Sequence, residues 1–246
     1  MKDNFSTESD KYAQYRPIYP PELFSFLESK LADKTNAWDC GTGNGQVAKA
    51  LAPLFEHVYA TDISAAQLAQ AAQAPNISYS VQPAEHSDFA DDFFDLVTVA
   101  QAIHWFDFER FYAEVRRTAK ADALICVLGY GVLRISPTID AIIDHFYTAV
   151  IGPNWDAERH YIDEQYRTIP FPFEEIECPS FVNRQHWSLR HLIGYLNTWS
   201  AVKHFIKANG YNPIATLEQE LAAHWPQEES MEVVFPMLLR LGRLSK

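Results

Sequence analysis

Three glycines stand at alternate positions in Trp38-Asp39-Cys40-Gly41-Thr42-Gly43-Asn44-Gly45, directly behind a carboxylate. Glycine reaches backbone conformations closed to other residues and puts no side chain between the main chain and a ligand. A second carboxylate, Asp62, follows Gly41 by 21 residues. A carboxylate at the end of a strand can accept two hydrogen bonds from ribose hydroxyls. Two ligands compete for such a loop. A dinucleotide pyrophosphate wants G-x-G-x-x-G, so that phosphate meets a helix N-terminus. Here the third glycine comes one residue early, and the charge of Asp39 would oppose a phosphate. An adenosine ligand without phosphate, carrying an ammonium group, suits Asp39 better, because the carboxylate can accept from the ammonium. Asp62 serves either ligand, and a tight turn that binds nothing is the plain alternative.

Further along, Ala100-Gln101-Ala102-Ile103-His104-Trp105-Phe106 sets an amide, an imidazole and an indole behind an apolar run. His104 is the natural general base if an acceptor must lose a proton. It also reads as a structural or ligand-contacting histidine. Trp105 either lines a cavity or packs in the core. The other histidines lack ligand spacing; His186 and His191 are five apart, so no metal site is expected.

Elements must bring these groups together. The chain alternates short apolar strands (37–40, 57–62, 77–81, 93–100, 123–130) with helical patterns, which implies α/β architecture and a doubly wound, mostly parallel sheet. A helix is expected over SAAQLAQAAQ (64–73), with Ser64 as its cap. Ile139, Ile142, Ile143, Phe146, Tyr147 and Val150 then mark an amphipathic helix. Residues 131–172 read as an inserted cap after the fifth strand, and 1–20 as a polar, proline-punctuated arm. A strand with a bulge at Pro179 is expected in 174–187, and helices follow around Leu192–Trp199 and 216–225. The last strand spans 231–243, where Pro236 suggests an edge or a bulge. The whole reads as one domain over 1–246.

Bulk properties narrow the partners. A net charge of -12 repels a nucleic-acid backbone, so no nucleic-acid partner is expected. Cys40, Cys126 and Cys178 are odd in number and far apart, which fits reduced thiols better than disulfides or zinc. No apolar run reaches about 18 residues, so the expectation is a cytoplasmic protein with no membrane partner, monomeric or homodimeric.

Asp39-Cys-Gly-Thr-Gly-Asn-Gly45 with Thr61-Asp-Ile-Ser64 resembles motifs I and II of class I S-adenosylmethionine-dependent methyltransferases. Tyr12-Ala-Gln-Tyr-Arg-Pro-Ile-Tyr-Pro20 and Ala100-Gln-Ala-Ile-His-Trp-Phe-Asp107 resemble the small-molecule branch that includes trans-aconitate methyltransferase. Gln82-Pro-Ala-Glu85 looks like the segment that lines the adenine in that family. The resemblance covers roughly residues 5–130. It implies a seven-stranded Rossmann-like methyltransferase fold, S-adenosylmethionine as cofactor and a small-molecule acceptor, with a carboxylic acid as one candidate. It places Asp39, Gly41, Gly43, Asp62, Ile63, Ala84, Glu85, Gln101 and Trp105 around the cofactor. Arg16, with Tyr12 or Tyr15, would close over it from the arm, and His104 would be the catalytic residue. One departure is Lys120-Ala-Asp-Ala-Leu124, where the family shows Lys-Pro-Gly-Gly; Asp122 suits a different turn. A carboxylate acceptor needs positive groups nearby, and Arg134, Arg184, Arg190 and Lys203 are available in the C-terminal half. A nicotinamide-dependent oxidoreductase and a cofactor-binding module without turnover remain the alternatives.

Overall fold

The structure is a computed structural model, and it describes residues 15–226 and 229–246. Five parallel strands form its centre: β1 (Asn36–Cys40), β2 (His57–Asp62), β3 (Ile77–Val81), β4 (Phe94–Ala100) and β5 (Ala119–Tyr130). They lie in the order β3-β2-β1-β4-β5, so the direction of winding reverses between β1 and β4. β8 (Met231–Arg243) runs antiparallel beside β5. Its other side carries β6 (Glu174–Ile176) and β7 (Val182–Trp187), which pair with opposite ends of β8. The edge position expected as a single bulged strand is therefore two strands broken at 177–181, giving eight strands at seven positions.

Alternation along the strands divides the core. Leu96, Leu124, Cys126 and Leu128 face α1 (Pro21–Lys30) and α2 (Gln46–Leu51). Val97, Val99, Ile125 and Val127 face α4 (Phe108–Thr118), which buries Phe111, Tyr112 and Val115. β4 is buried at every residue but its last, as a central parallel strand must be. A third cluster lies beyond the carboxyl end of β5. It joins Tyr130 and Leu133 to α5 (Pro137–His145), α7 (Leu189–Asn197), α8 (Ser200–Asn209) and α9 (Ile214–Ala222). Segment 131–172 thus shares its helical layer with 188–226.

Three expectations need correction. The helix over 64–73 is only one turn, α3 (Ala65–Leu68). The amides of Gln70 and Ala71 tighten to i−3 carbonyls, and that of Ala72 is taken by the Asn44 carbonyl. Pro236 does not put β8 at an edge. It stands where β8 changes partner from β7 to β5, and Gly131 asks only for its carbonyl. Trp199 lies outside α7 and is the N-cap residue of α8, a helix that the residue pattern did not announce. At Asp122 the chain is left-handed, φ 62°, in line with a different turn before the fifth strand. Among the described residues no helix is long and apolar enough to cross a membrane.

Candidate active site

The loop after β1 is tied from beneath by Asp39. This residue is wholly buried. Its Oδ2 accepts from the Thr42 hydroxyl and, at 3.0 Å, from the Ala48 amide; its Oδ1 accepts from the Thr98 hydroxyl at 2.8 Å. Both oxygens are engaged within the protein. Asp39 therefore holds the loop to α2 and β4 and does not line the cleft, contrary to the expectation that it meets an ammonium group. Burial lifts its pKa to about 6, against the opposing effect of the Thr42, Thr98 and Ala48 hydrogen bonds.

Above this knot Gly41, Gly43 and Gly45 are all left-handed, at φ 68°, 57° and 78°. A Cβ on Gly41 would come 2.8 Å from the Cβ of Ala102, so the loop can approach the turn after β4 only at glycine. A Cβ on Gly43 would meet nothing nearer than the Gln67 Oε1 at 4.0 Å, because this glycine faces open cleft. Asp62, at the end of β2, closes the arrangement. Its Oδ2 accepts from the Gly43 amide and its Oδ1 from the Ser64 amide, each at 2.9 Å.

The cleft over this loop holds about 830 Å³ at the carboxyl ends of β1, β2, β4 and β5, where doubly wound sheets bind ligands. Gly41, Gly43, Asp62, Ile63, Gln101, Trp105 and Arg16 all line it. Arg16 donates to the Tyr130 hydroxyl at 3.0 Å, and its guanidinium lies 5.5 Å from the Tyr195 ring centre. Other expected residues stand elsewhere. Tyr15 packs edge-on to His191 and against Gly194 of α7. Ala84 is buried in the core cluster of α4, and Glu85 accepts from the Asp107 amide at the start of that helix. None of these three lines the cleft. Tyr12 lies outside the described residues.

A second pocket, about 470 Å³, adjoins the cleft and shares Arg16, Gln101 and Trp105 with it. Its other walls are His104, Trp155, Asp156, Arg159, Ile162, Trp199 and Ser200. Arg159 is aimed by its neighbours. It donates to the Tyr147 hydroxyl at 2.7 Å, which itself donates to Asp163 at 2.6 Å. Its guanidinium also stacks 4.6 Å from the Trp155 ring centre. His104 is buried, with Nδ1 3.2 Å from the Tyr166 hydroxyl. Burial first, and then the charge of Arg159, push its pKa down to about 3. Among the described residues no group of three or more histidines, cysteines or carboxylates could hold a metal.

Sequence reasoning missed Arg159, Trp155, Trp199 and Tyr166. Segment 152–172 is made of short turns and one four-residue helix, α6 (His160–Asp163), so no period marks it. The one available signal was Gly129, a glycine inside β5, because such a residue often marks a close approach. The ring of Tyr166 fills that space. Of the four cations expected near an acid, Arg134 pairs with Asp144, Arg184 pairs with Glu232 and Arg190 is exposed, and neither these nor Lys203 line the cleft or the second pocket.

Comparison with known proteins identifies the class. Residues 38–127 match the family described as "Methyltransferase domain". A Dictyostelium discoideum protein named as a methyltransferase is 30% identical over 98% of this chain and 95% of its own. A solved structure from Anaeromyxobacter dehalogenans, named as a type II methyltransferase, is 38% identical with a TM-score of 0.87, covering 94% of this chain and 100% of the other. A Bacillus halodurans structure, also named as a methyltransferase, shares the fold at 18% identity and a TM-score of 0.56 over 92% of this chain and 100% of its own. The chain belongs to the class I S-adenosylmethionine-dependent methyltransferases, and S-adenosylmethionine is its cofactor. The cleft fits that group. The left-handed loop offers bare backbone at Gly43, and Asp62 stands beside it on the cleft wall.

Asp39 gives this site a pH signature. Its folded pKa lies above the unfolded value of 3.8. The proton on Asp39 therefore adds stability that is fully present below the unfolded value and is lost as pH rises through the folded one. Between about pH 4 and pH 6 the protein should lose up to about 3 kcal/mol from this group alone. Denaturant titrations across that window should show the slope in the parent protein, and a flatter profile in Asp39→Asn.

Proposed function

We propose that the enzyme methylates a small carboxylic acid bound in the second pocket. The observation that carries this reading is the pocket itself: it opens beside the cofactor cleft, presents a guanidinium, and has an imidazole that cannot serve as a base. A histidine whose pKa is about 3 will not take a proton from a hydroxyl or an ammonium near neutrality. A carboxylate is already ionised and needs no proton acceptor. The resemblance of the arm and of QAIHWFD to the trans-aconitate methyltransferase branch points the same way.

When bound, the cofactor supplies an electrophilic methyl on a sulfonium leaving group. The protein must align the partners and keep water out. Asp62 would hold the ribose hydroxyls of the cofactor, the loop at Gly41 and Gly43 would lie against it, Ile63 would flank its adenine, and Arg16 would pair with its carboxylate. Gln101 and Trp105, which belong to both cavities, form the passage between them. Arg159 orients the acid by charge-assisted hydrogen bonds. Segment 131–172 acts as a cap, because it supplies Trp155, Asp156, Arg159 and Ile162 to the pocket wall.

The test is transfer of labelled methyl from the cofactor to a panel of small carboxylic acids. Label should appear in methyl esters and be released by mild base. Base-stable label on an amine or carbon acceptor would overturn the proposal. On the acid so found, Arg159→Met should raise KM about tenfold or more, the loss expected for a hydrogen bond to a charged group. The rate should stay level between about pH 6 and pH 8, since His104 does not titrate there. Separately, Asp62→Ala should weaken S-adenosylhomocysteine binding by about 1.5–3 kcal/mol in a calorimetric titration. Unchanged affinity would remove Asp62 from the ribose.

A further inference from the structure

Left-handed backbone occurs at Gln101, which lines both pockets, and at Gln165 and Tyr166, which line neither. Five non-glycine residues have positive φ among the described residues, and Gln101 (53°), Gln165 (57°) and Tyr166 (60°) are three of them. Such conformations persist where the surroundings over-determine them. Here Arg240 of β8 does so. Its Nη1 donates to the carbonyls of Tyr166 at 3.1 Å and Ile169 at 2.7 Å, while its Nε and Nη2 hold both oxygens of Glu175. Tyr166 is thereby driven into the core until its ring covers Gly129. Its hydroxyl arrives 3.2 Å from the His104 Nδ1 and 3.4 Å from the Gln101 Oε1.

The direction of each proton in this chain follows from one fixed end. The Tyr130 carbonyl can only accept, so the nitrogen of the Gln101 amide must face it, at 3.0 Å. The amide oxygen then faces Tyr166 and can also only accept. Tyr166 gives its single hydroxyl proton there. The Tyr166 oxygen has only lone pairs left for His104, so Nδ1 must bring the proton to that contact. A neutral imidazole has one N–H, which leaves Nε2 as a bare lone pair. Nε2 has no hydrogen-bond partner among the described residues, and His104 lines the second pocket.

We propose that Tyr166 is a positioning residue that fixes His104 in its Nδ1–H tautomer, so that the second pocket offers at Nε2 a hydrogen-bond acceptor for a donor group of the bound acid, such as a hydroxyl, while the ionised carboxylate faces Arg159. It acts on the bound molecule only through His104. The proposal rests on reading the second pocket as the acceptor site, but the tautomer can be measured without any acceptor. If the acceptor reading fails, the tautomer still stands or falls by itself.

The experiment is a long-range proton–nitrogen correlation spectrum of the protein labelled with nitrogen-15 in its histidines, recorded with S-adenosylhomocysteine. Loss of one set of signals in His104→Gln assigns the ring. The parent protein should show the Nδ1–H pattern. In Tyr166→Phe the ring still covers Gly129 but the hydroxyl is gone, and the proton should move to Nε2. Gln101→Asn tests the same relay by a second route. Asparagine tolerates left-handed backbone, yet its shorter amide withdraws from Tyr166, whose proton is then free to go to Nδ1. The Nε2–H form should result again. An Nε2–H pattern in the parent protein, or an unchanged Nδ1–H pattern in Tyr166→Phe, would overturn the proposal.

Discussion

The buried carboxylate of Asp39 is the interaction on which the rest depends. A charged group in the core is costly unless its oxygens are met by donors. Here the donors come from the loop, from α2 and from β4, so one side chain ties together three elements where the core packs them. The tie forces the chain over it into a left-handed path, which only glycine takes cheaply. Asp62 then fixes the outer face of the loop by accepting from Gly43. Two carboxylates thus divide the work: one holds the loop from the protein side, the other remains at the cleft.

The second pocket depends on a different kind of constraint. Its walls come from segments with little regular structure, so the backbone must be held by side chains. Arg240 holds the carbonyls of Tyr166 and Ile169 and so supports the left-handed backbone at Tyr166, which costs on the order of 1–3 kcal/mol when unsupported. Tyr147 and Asp163 hold Arg159. Gln101, strained itself, links both pockets and hydrogen-bonds to the end of β5. The arrangement is rigid where alignment matters, and methyl transfer asks for little beyond alignment and dryness.

Much of the cofactor half was legible in the sequence because its signals are local. The glycine spacing, the acid at the end of β2 and the apolar run of β4 each report on their own neighbourhood. Even so, Asp39 was read outward when it points inward; only the hydroxyls of Thr42 and Thr98 reveal that, and Thr98 is distant in sequence. Ala84, Glu85 and Tyr15 were placed at the cofactor on resemblance, and none of them lines the cleft. The acceptor half was nearly illegible. Arg159, Trp155 and Tyr166 occur in a stretch without periodicity, and their meeting with His104 and Trp199 depends on contacts across the fold. Pro236 misled for a related reason: a proline is excluded from inner strands only where its missing N–H is required, and that depends on where the neighbouring strands end.

The most direct measurement is calorimetric titration of S-adenosylhomocysteine into the parent protein and Gly43→Ala. The added methyl faces the cleft and touches nothing in the protein, so the variant should fold, at a cost of about 1–2 kcal/mol for its left-handed backbone. Tight binding to the parent and loss of binding by the folded variant is the expected result, because the methyl would occupy the surface against which the cofactor lies. Equal affinity in both would contradict the account, since the cofactor could not then be seated on the loop that Asp39 and Asp62 hold in place.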